Sequence, residues 1–164
     1  MSVYYTVIYS IIYILPAFIA NGAPVIFKGK KPLDFNKTLF KKRIFGDHKT
    51  IRGTFSGLFA GILTGIIESF FIPELLLPSI FLSIGAISGD LIGSFIKRRF
   101  DIKPGKSIPI LDQFGFVIFA LLFALPFDHF PNLIGIILIF ILTGILHPLT
   151  NFIAYKLKLK SVPW

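Results

Sequence analysis

Long apolar runs separated by compact polar blocks organise this chain from one end to the other. The runs lie near residues 3–27, 54–72, 75–96, 111–126 and 133–155, and each reads as a helix for crossing roughly 30 Å of hydrocarbon at about 1.5 Å per residue. The second and third are parted only by a Pro73-Glu74 turn, the fourth and fifth by Phe127-Asp128-His129-Phe130-Pro131-Asn132. Two longer polar loops, 28–53 and 97–110, separate the first run from the second and the third from the fourth. Backbone polar groups in lipid must be satisfied within the structure that spans it, and exposed strand edges are not tolerated there. The pattern therefore predicts an all-α integral membrane protein. It is a single membrane domain over 1–164, one bundle of five transmembrane helices with two functional loops on the cytoplasmic side.

Composition agrees, and charge sets the orientation. A mean hydropathy of +0.80 and 20 phenylalanines in 164 residues are too apolar for an ordinary wetted surface. Every one of the 17 Lys and Arg residues falls in one of three blocks: Lys28 to Arg52, Lys97 to Lys106, and Lys156 to Lys160. With an odd number of spans these blocks share one side, which the positive-inside tendency makes the cytoplasm. The N-terminus is then outside and the C-terminus cytoplasmic. The first run has no basic stretch ahead of it and reads as a span, not a removable signal. The absence of cysteine excludes disulfides, a thiolate nucleophile and thiolate metal sites. A net charge of +9 suits retention on anionic lipid headgroups. A polyanionic substrate is the sharper reading, and nucleic acid is disfavoured because no soluble module with interleaved aromatics is present.

Polar residues inside the apolar helices narrow the chemistry. Asp90, Ser94 and Lys97 recur at helical spacing and share one face of the third helix. Asp90 sits about 10 Å before the basic boundary; a carboxylate at that depth marks either a functional site or a structural pair with Lys97 or Arg98. After a Lys103-Pro104-Gly105-Lys106 turn, Asp112 opens the next helix, so Asp90 and Asp112 converge among lysines. Carboxylates with lysines suit a phosphate ester held through magnesium, a hard ion that takes oxygen from both protein and phosphate. No P-loop is present, since Gly46-Asp47-His48-Lys49-Thr50 lacks the required glycine spacing. Lys49 and Arg52, just before the second helix, read as substrate contacts or as ordinary positive-inside charge. Gly57, Gly61 and Gly65 form a packing stripe with Thr54 and Glu68, and Glu68 lies about 24 Å from Arg52, too far for the same chemistry. On the last helix Thr143, His147, Asn151 and Tyr155 recur every four residues; His147 serves either beside the metal or as an internal hydrogen-bonding group. Asn21 stands where its amide can satisfy backbone groups freed by Pro24.

The stretch Gly89-Asp90-Leu91, Ser94, Lys97-Arg98, Lys103-Pro104-Gly105, Pro109, Asp112-Gln113 resembles the signature of the phosphatidate cytidylyltransferases, and is most similar to that of their short archaeal relatives, the CDP-archaeol synthases. Asn21, Pro24, Lys49-Thr50 and Arg52-Gly53 extend the resemblance over essentially the whole chain. It implies transfer of CMP from CTP to an isoprenoid glyceryl ether phosphate, with release of pyrophosphate. Magnesium is the implied ion and manganese its alternative. Asp90 and Asp112 resemble the metal ligands, and with Lys97 and Lys103 make the implied catalytic set. Asn21, Lys49, Thr50, Arg52, Ser94, Arg98, Lys106 and His147 are the implied substrate contacts. The family usually carries a second acid three residues after the motif aspartate, where this chain has Gly115; a weakened second ion and impaired activity are the expectation. The implied partners are CTP, the ether lipid phosphate and membrane lipids, and a homodimer is compatible. Rival readings are a cytidylyltransferase acting on diacyl lipid, an anion transporter, and a structural protein. The transporter lacks the expected inverted repeats and midplane residues, and the structural protein gives no reason for two acids beside the Lys-Pro-Gly turn.

Overall fold

A computed structural model describes residues 3–102 and 105–163; Lys103 and Pro104, in the expected turn, lie outside the described residues. The elements are α1 (Val3–Ile26), a small hairpin of β1 (Thr38–Leu39) and β2 (Lys42–Arg43), α2 (Ile51–Ser69), a short 3₁₀ turn (Pro73–Leu75), α3 (Leu76–Arg99), α4 (Pro109–Ala124) and α5 (Leu133–Lys156). The chain is an all-α bundle of five helices and a multi-pass membrane protein. Three segments, Val3–Ile26, Pro73–Arg99 and Leu133–Lys156, are long and apolar enough to cross a bilayer. The other two are less complete: α2 is diluted by four glycines, and α4, with 16 residues, reaches only about 24 Å.

Steric economy sorts the faces of α2. Gly57 lies against the Ala20 carbonyl and Gly61 against Ser83 and Ala20, where an added Cβ would come within 2.8 Å of these neighbours. Gly65 packs on Ser79 in the same way. The opposite face presents Phe55, Phe59 and Leu63 outward, an arrangement suited to lipid, where large apolar groups face the solvent and small ones let helices approach. On α3, Gly85 and Gly89 bring that helix onto the backbone of α4 at Phe119 and Gly115. The core between α1, α3 and α4 holds Tyr13, Ile14, Ala17, Leu82, Ala86, Val117 and Ala120, closed by Ile139 from α5.

Helix α2 starts at Ile51, ahead of the expected Thr54, because Thr50 caps it: its Oγ1 accepts from the Gly53 amide at 3.1 Å. The loop before it is built, too. Asp34 is buried and accepts from Arg43 Nη2 and Nε (2.7 and 3.2 Å) and from the amides of Asn36, Phe45 and Gly46 (3.1, 3.0 and 3.1 Å). Phe40 and Lys41, both at positive φ (51° and 61°), turn β1 into β2. These strands supplement the expected all-helix architecture in the loop alone. Arg99 pins the hairpin to α3 by donating to the carbonyls of Leu39, Lys42 and Arg43 while lying over the Phe95 ring.

Candidate active site

Consecutive helices run in opposite directions, so the end of α1, the start of α2, the end of α3, the start of α4 and the end of α5 meet at one end of the bundle. A cavity of about 900 Å³ opens there. Asn21 and Pro24 come to it from α1, residues 45–50 from the first loop, Asp90, Ser94, Lys97 and Arg98 from α3, Lys106 from the second loop, Asp112 from α4, and His147 and Asn151 from α5. Ten of the expected site residues are thereby brought together: Asn21, Lys49, Thr50, Asp90, Ser94, Lys97, Arg98, Lys106, Asp112 and His147. Arg52 is not among the lining residues; its Cβ packs beside Gly29, which is one of them. Lys103 lies outside the described residues.

The two expected acids each hold a lysine. Lys49 Nζ donates to Asp90 Oδ2 at 2.5 Å, and Lys97 Nζ to Asp112 Oδ1 at 2.7 Å. The pairing differs from the Asp90–Lys97 or Asp90–Arg98 alternative, because Lys97 reaches across to α4 and the first loop delivers Lys49 to Asp90. Asp112 also accepts from the Ile108 amide at 3.0 Å through Oδ2, which fixes it in the first turn of α4. Arg98 packs its Cδ near Gly46, and its buried Nε has no hydrogen-bond partner among the described residues. An unmatched guanidinium donor in a cavity wall is costly until an acceptor arrives. The run Lys97-Arg98-Arg99 thus divides three ways at about 100° per residue: one side chain to an acid, one to the cavity, one to the hairpin.

On α5, the Asn151 amide lies 3.4 Å from the His147 ring, and that ring lies tilted by 34° beside Phe116, with centroids 5.7 Å apart. His48, in the loop wall, has its pKa lowered, first by burial and next by the charge of Lys49; it is neutral near pH 7. Among the described residues no group of three or more His, Asp or Glu side chains is placed to hold a metal. Sequence reasoning missed two contributors to the wall. One is the loop scaffold around Asp34, whose only signal is an acid in a turn-forming Asp34-Phe35-Asn36 stretch. The other is the segment after α5, where Lys158 to Val162 line the cavity, though its lysines read as ordinary positive-inside charge.

Known proteins resemble this chain along nearly its full length. A family model described as CarS-like, CDP-archaeol synthase, matches residues 3–164. A CDP-archaeol synthase of Methanococcus maripaludis (strain C6) is 48% identical over 93% of this chain and 93% of that protein. One from Pyrococcus furiosus is 46% identical over 93% of this chain and 95% of its own. A solved structure, described as an intramembrane enzyme for archaeal membrane lipids biosynthesis, superposes with a TM-score of 0.79 at 34% identity, covering 86% of this chain and 91% of that one.

Proposed function

The chain belongs to the CarS-like, CDP-archaeol synthase family, and from that premise we propose that the cavity at the basic end of its bundle is where CMP passes from CTP to an archaeal ether lipid phosphate. The protein is a cytidylyltransferase of archaeal membrane lipid synthesis. The observation that carries the assignment of the site is the pair of lysine–carboxylate contacts, Lys49–Asp90 and Lys97–Asp112, in the wall of one cavity.

The reaction needs one bond made and one broken. An oxygen of the lipid phosphate attacks the α-phosphorus of CTP in line, the bond from that phosphorus to the bridging oxygen of the β-phosphate breaks, and pyrophosphate departs with the electron pair. The attacking phosphate monoester, with a second pKa near 6, is already ionised at neutral pH; no side chain has to remove a proton. The burden on the protein is positioning and charge. Arg98, with its unmatched Nε, and Lys106 supply cationic contacts for phosphate oxygens, and Ser94 and Asn21 supply neutral polar ones. Thr50 and the loop braced by Asp34 hold Lys49 in place.

The two acids fit magnesium. Each already carries a cation in the form of a lysine ammonium, and two carboxylates, with no cluster of three such ligands among the described residues, suit an ion that completes its shell with substrate phosphate and water. Asp90 and Asp112 would hold it, and when bound it supplies stabilisation of the negative charge on the phosphoryl oxygens. Release of Lys49 and Lys97 from their acids then makes both available to the triphosphate.

The basic loops and the tail share the cavity end, so the positive-inside tendency favours a cytoplasmic mouth, an external N-terminus and five crossings in which α2 and α4 complete the bundle. CTP enters from water, and the isoprenoid chains stay among the exposed apolar faces. The test is transfer of label from α-phosphate-labelled CTP to an ether lipid phosphate by purified protein in detergent. Labelled lipid that requires magnesium is the expected result; no labelled lipid under any ion condition would overturn the assignment.

A further inference from the structure

The segment after α5 turns back over the cavity. Lys158 adopts positive φ (58°), and the amides of Leu159 and Lys160 both donate to the Ala154 carbonyl at 2.8 and 3.2 Å, a helix-ending turn that reverses the chain. Residues 158–162 consequently form part of the cavity wall. This strap is fastened from two sides. Lys28, just past α1, donates through Nζ to the Leu159 carbonyl, and Lys160 Nζ donates to Asn151 Oδ1 at 2.9 Å. Asn151 in turn lies beside His147. Lys156 and Lys158 also line the cavity but are more exposed than Lys160, and Lys156 Nζ lies over the Phe152 ring.

We propose that Lys160 is a substrate contact, carried into the cavity by the strap to bind a phosphate oxygen of one of the two substrates. The proposal rests on the cytidylyltransferase reading and extends its binding set to the C-terminal segment. Burial lowers the Lys160 pKa first, with Lys49 adding to the effect and Asp112 and Asp90 opposing it; the ammonium therefore stands in the same field as both acid–lysine pairs. A polyanion entering among Lys49, Lys97 and Lys160 relieves the repulsion between them and offers the ammonium charge-assisted hydrogen bonds. The seat on Asn151 keeps the side chain extended toward the cavity until then. CTP and the lipid phosphate present the same chemistry to it, so the experiment separates them.

Initial rates are measured for the wild type, Lys160→Met and Lys160→Arg with CTP and lipid phosphate varied in turn. Loss of a charge-assisted hydrogen bond raises the KM for the contacted substrate roughly 10- to 100-fold, while Lys160→Arg recovers most of it. A rise confined to CTP assigns the contact to the triphosphate, and one confined to the lipid assigns it to the acceptor. Unchanged KM values for both, whatever happens to kcat, overturn the proposal. Labelling the wild type with an amine-acetylating reagent gives an answer that does not depend on a variant folding. Modification of Lys160, read by mass spectrometry, should fall several-fold with magnesium and CTP or with the lipid phosphate; equal modification with neither protecting overturns the proposal. A wild type that turns over with Lys160 indifferent sinks this inference alone, whereas a wild type without turnover sinks the reading it rests on.

Discussion

Asp34 and Asp112 are the same residue type near the same end of the molecule, and the protein uses them in opposite ways. Asp34 is buried and takes donors from Arg43 and three backbone amides of its own loop. Asp112 is partly open to a cavity and holds one lysine and one amide. Asp90 resembles it, with Lys49 on one oxygen. A carboxylate whose acceptor sites are filled by short-range backbone donors is committed to structure, since exchanging any one donor disrupts the turn. One whose partner is a long, flexible ammonium in a water-filled space can exchange it for another cation. The number and kind of donors, not the charge, separates scaffold from site.

The largest effect should come from testing that contrast directly. Asp112→Asn retains shape but loses the charge, and we expect about a 10²- to 10³-fold fall in kcat, with thermal unfolding in detergent little changed. Asp34→Asn should do the reverse, lowering stability by about 2–3 kcal/mol through its unmatched Arg43 and amide partners, seen as a lower unfolding temperature. If Asp34→Asn removes activity without touching stability, the distinction collapses. Next in size is the pair of adjacent arginines. Arg98→Ala is expected to raise a substrate KM about 10-fold, whereas Arg99→Ala, which releases the hairpin from α3, should lower the unfolding temperature and leave KM near its original value.

The same contrast explains what the sequence revealed. Apolar periodicity and the three basic blocks announced a membrane bundle, because lipid imposes its length and polarity on every crossing segment. Asp90 and Asp112 stood out because an acid in an apolar helix has few innocent explanations. Asp34 did not, since an acid in a polar loop is unremarkable until its donors are seen. The split of Lys97-Arg98-Arg99 was equally hidden: a charge run has no direction until the helix supplies one. Arg52 is set apart from Lys49 by its place in the first turn of α2, outside the residues that line the cavity. Lys160 was invisible for a third reason, because the reversal at Lys158 depends on a non-glycine residue at positive φ that residue type does not forecast.

Acid titration gives a smaller, graded version of the Asp34 test. Burial alone would raise that carboxyl's pKa, but Arg43 and the amides of Phe45, Gly46 and Asn36 outweigh it and hold the group well below the ordinary carboxylate range. Its contribution to stability is therefore complete above about pH 4, the unfolded value, and fades as the pH falls below it. Unfolding temperatures measured from pH 7 down to pH 3 should show an acid-side decline that Asp34→Asn flattens. A decline of equal slope in the variant would assign the acid sensitivity to other groups.

The smallest expected change in activity is at Gly115, where the resemblance implies a second acid. A side chain there has room: a Cβ built on Gly115 meets only Leu111 Cδ1, at 3.9 Å. The position lies one helical turn after Asp112, so it shares that residue's face of α4. Gly115 is buried in α4, so Gly115→Asp should lower the unfolding temperature without magnesium and recover part of the loss when the ion pairs the new carboxylate. Its signature should be a several-fold lower magnesium concentration for half-maximal activity, since a third carboxylate adds an oxygen ligand to a site that otherwise draws on substrate and water. Titration of activity against magnesium for both proteins measures it. An unchanged midpoint would mean that Asp90 and Asp112 supply all the protein ligands the reaction uses.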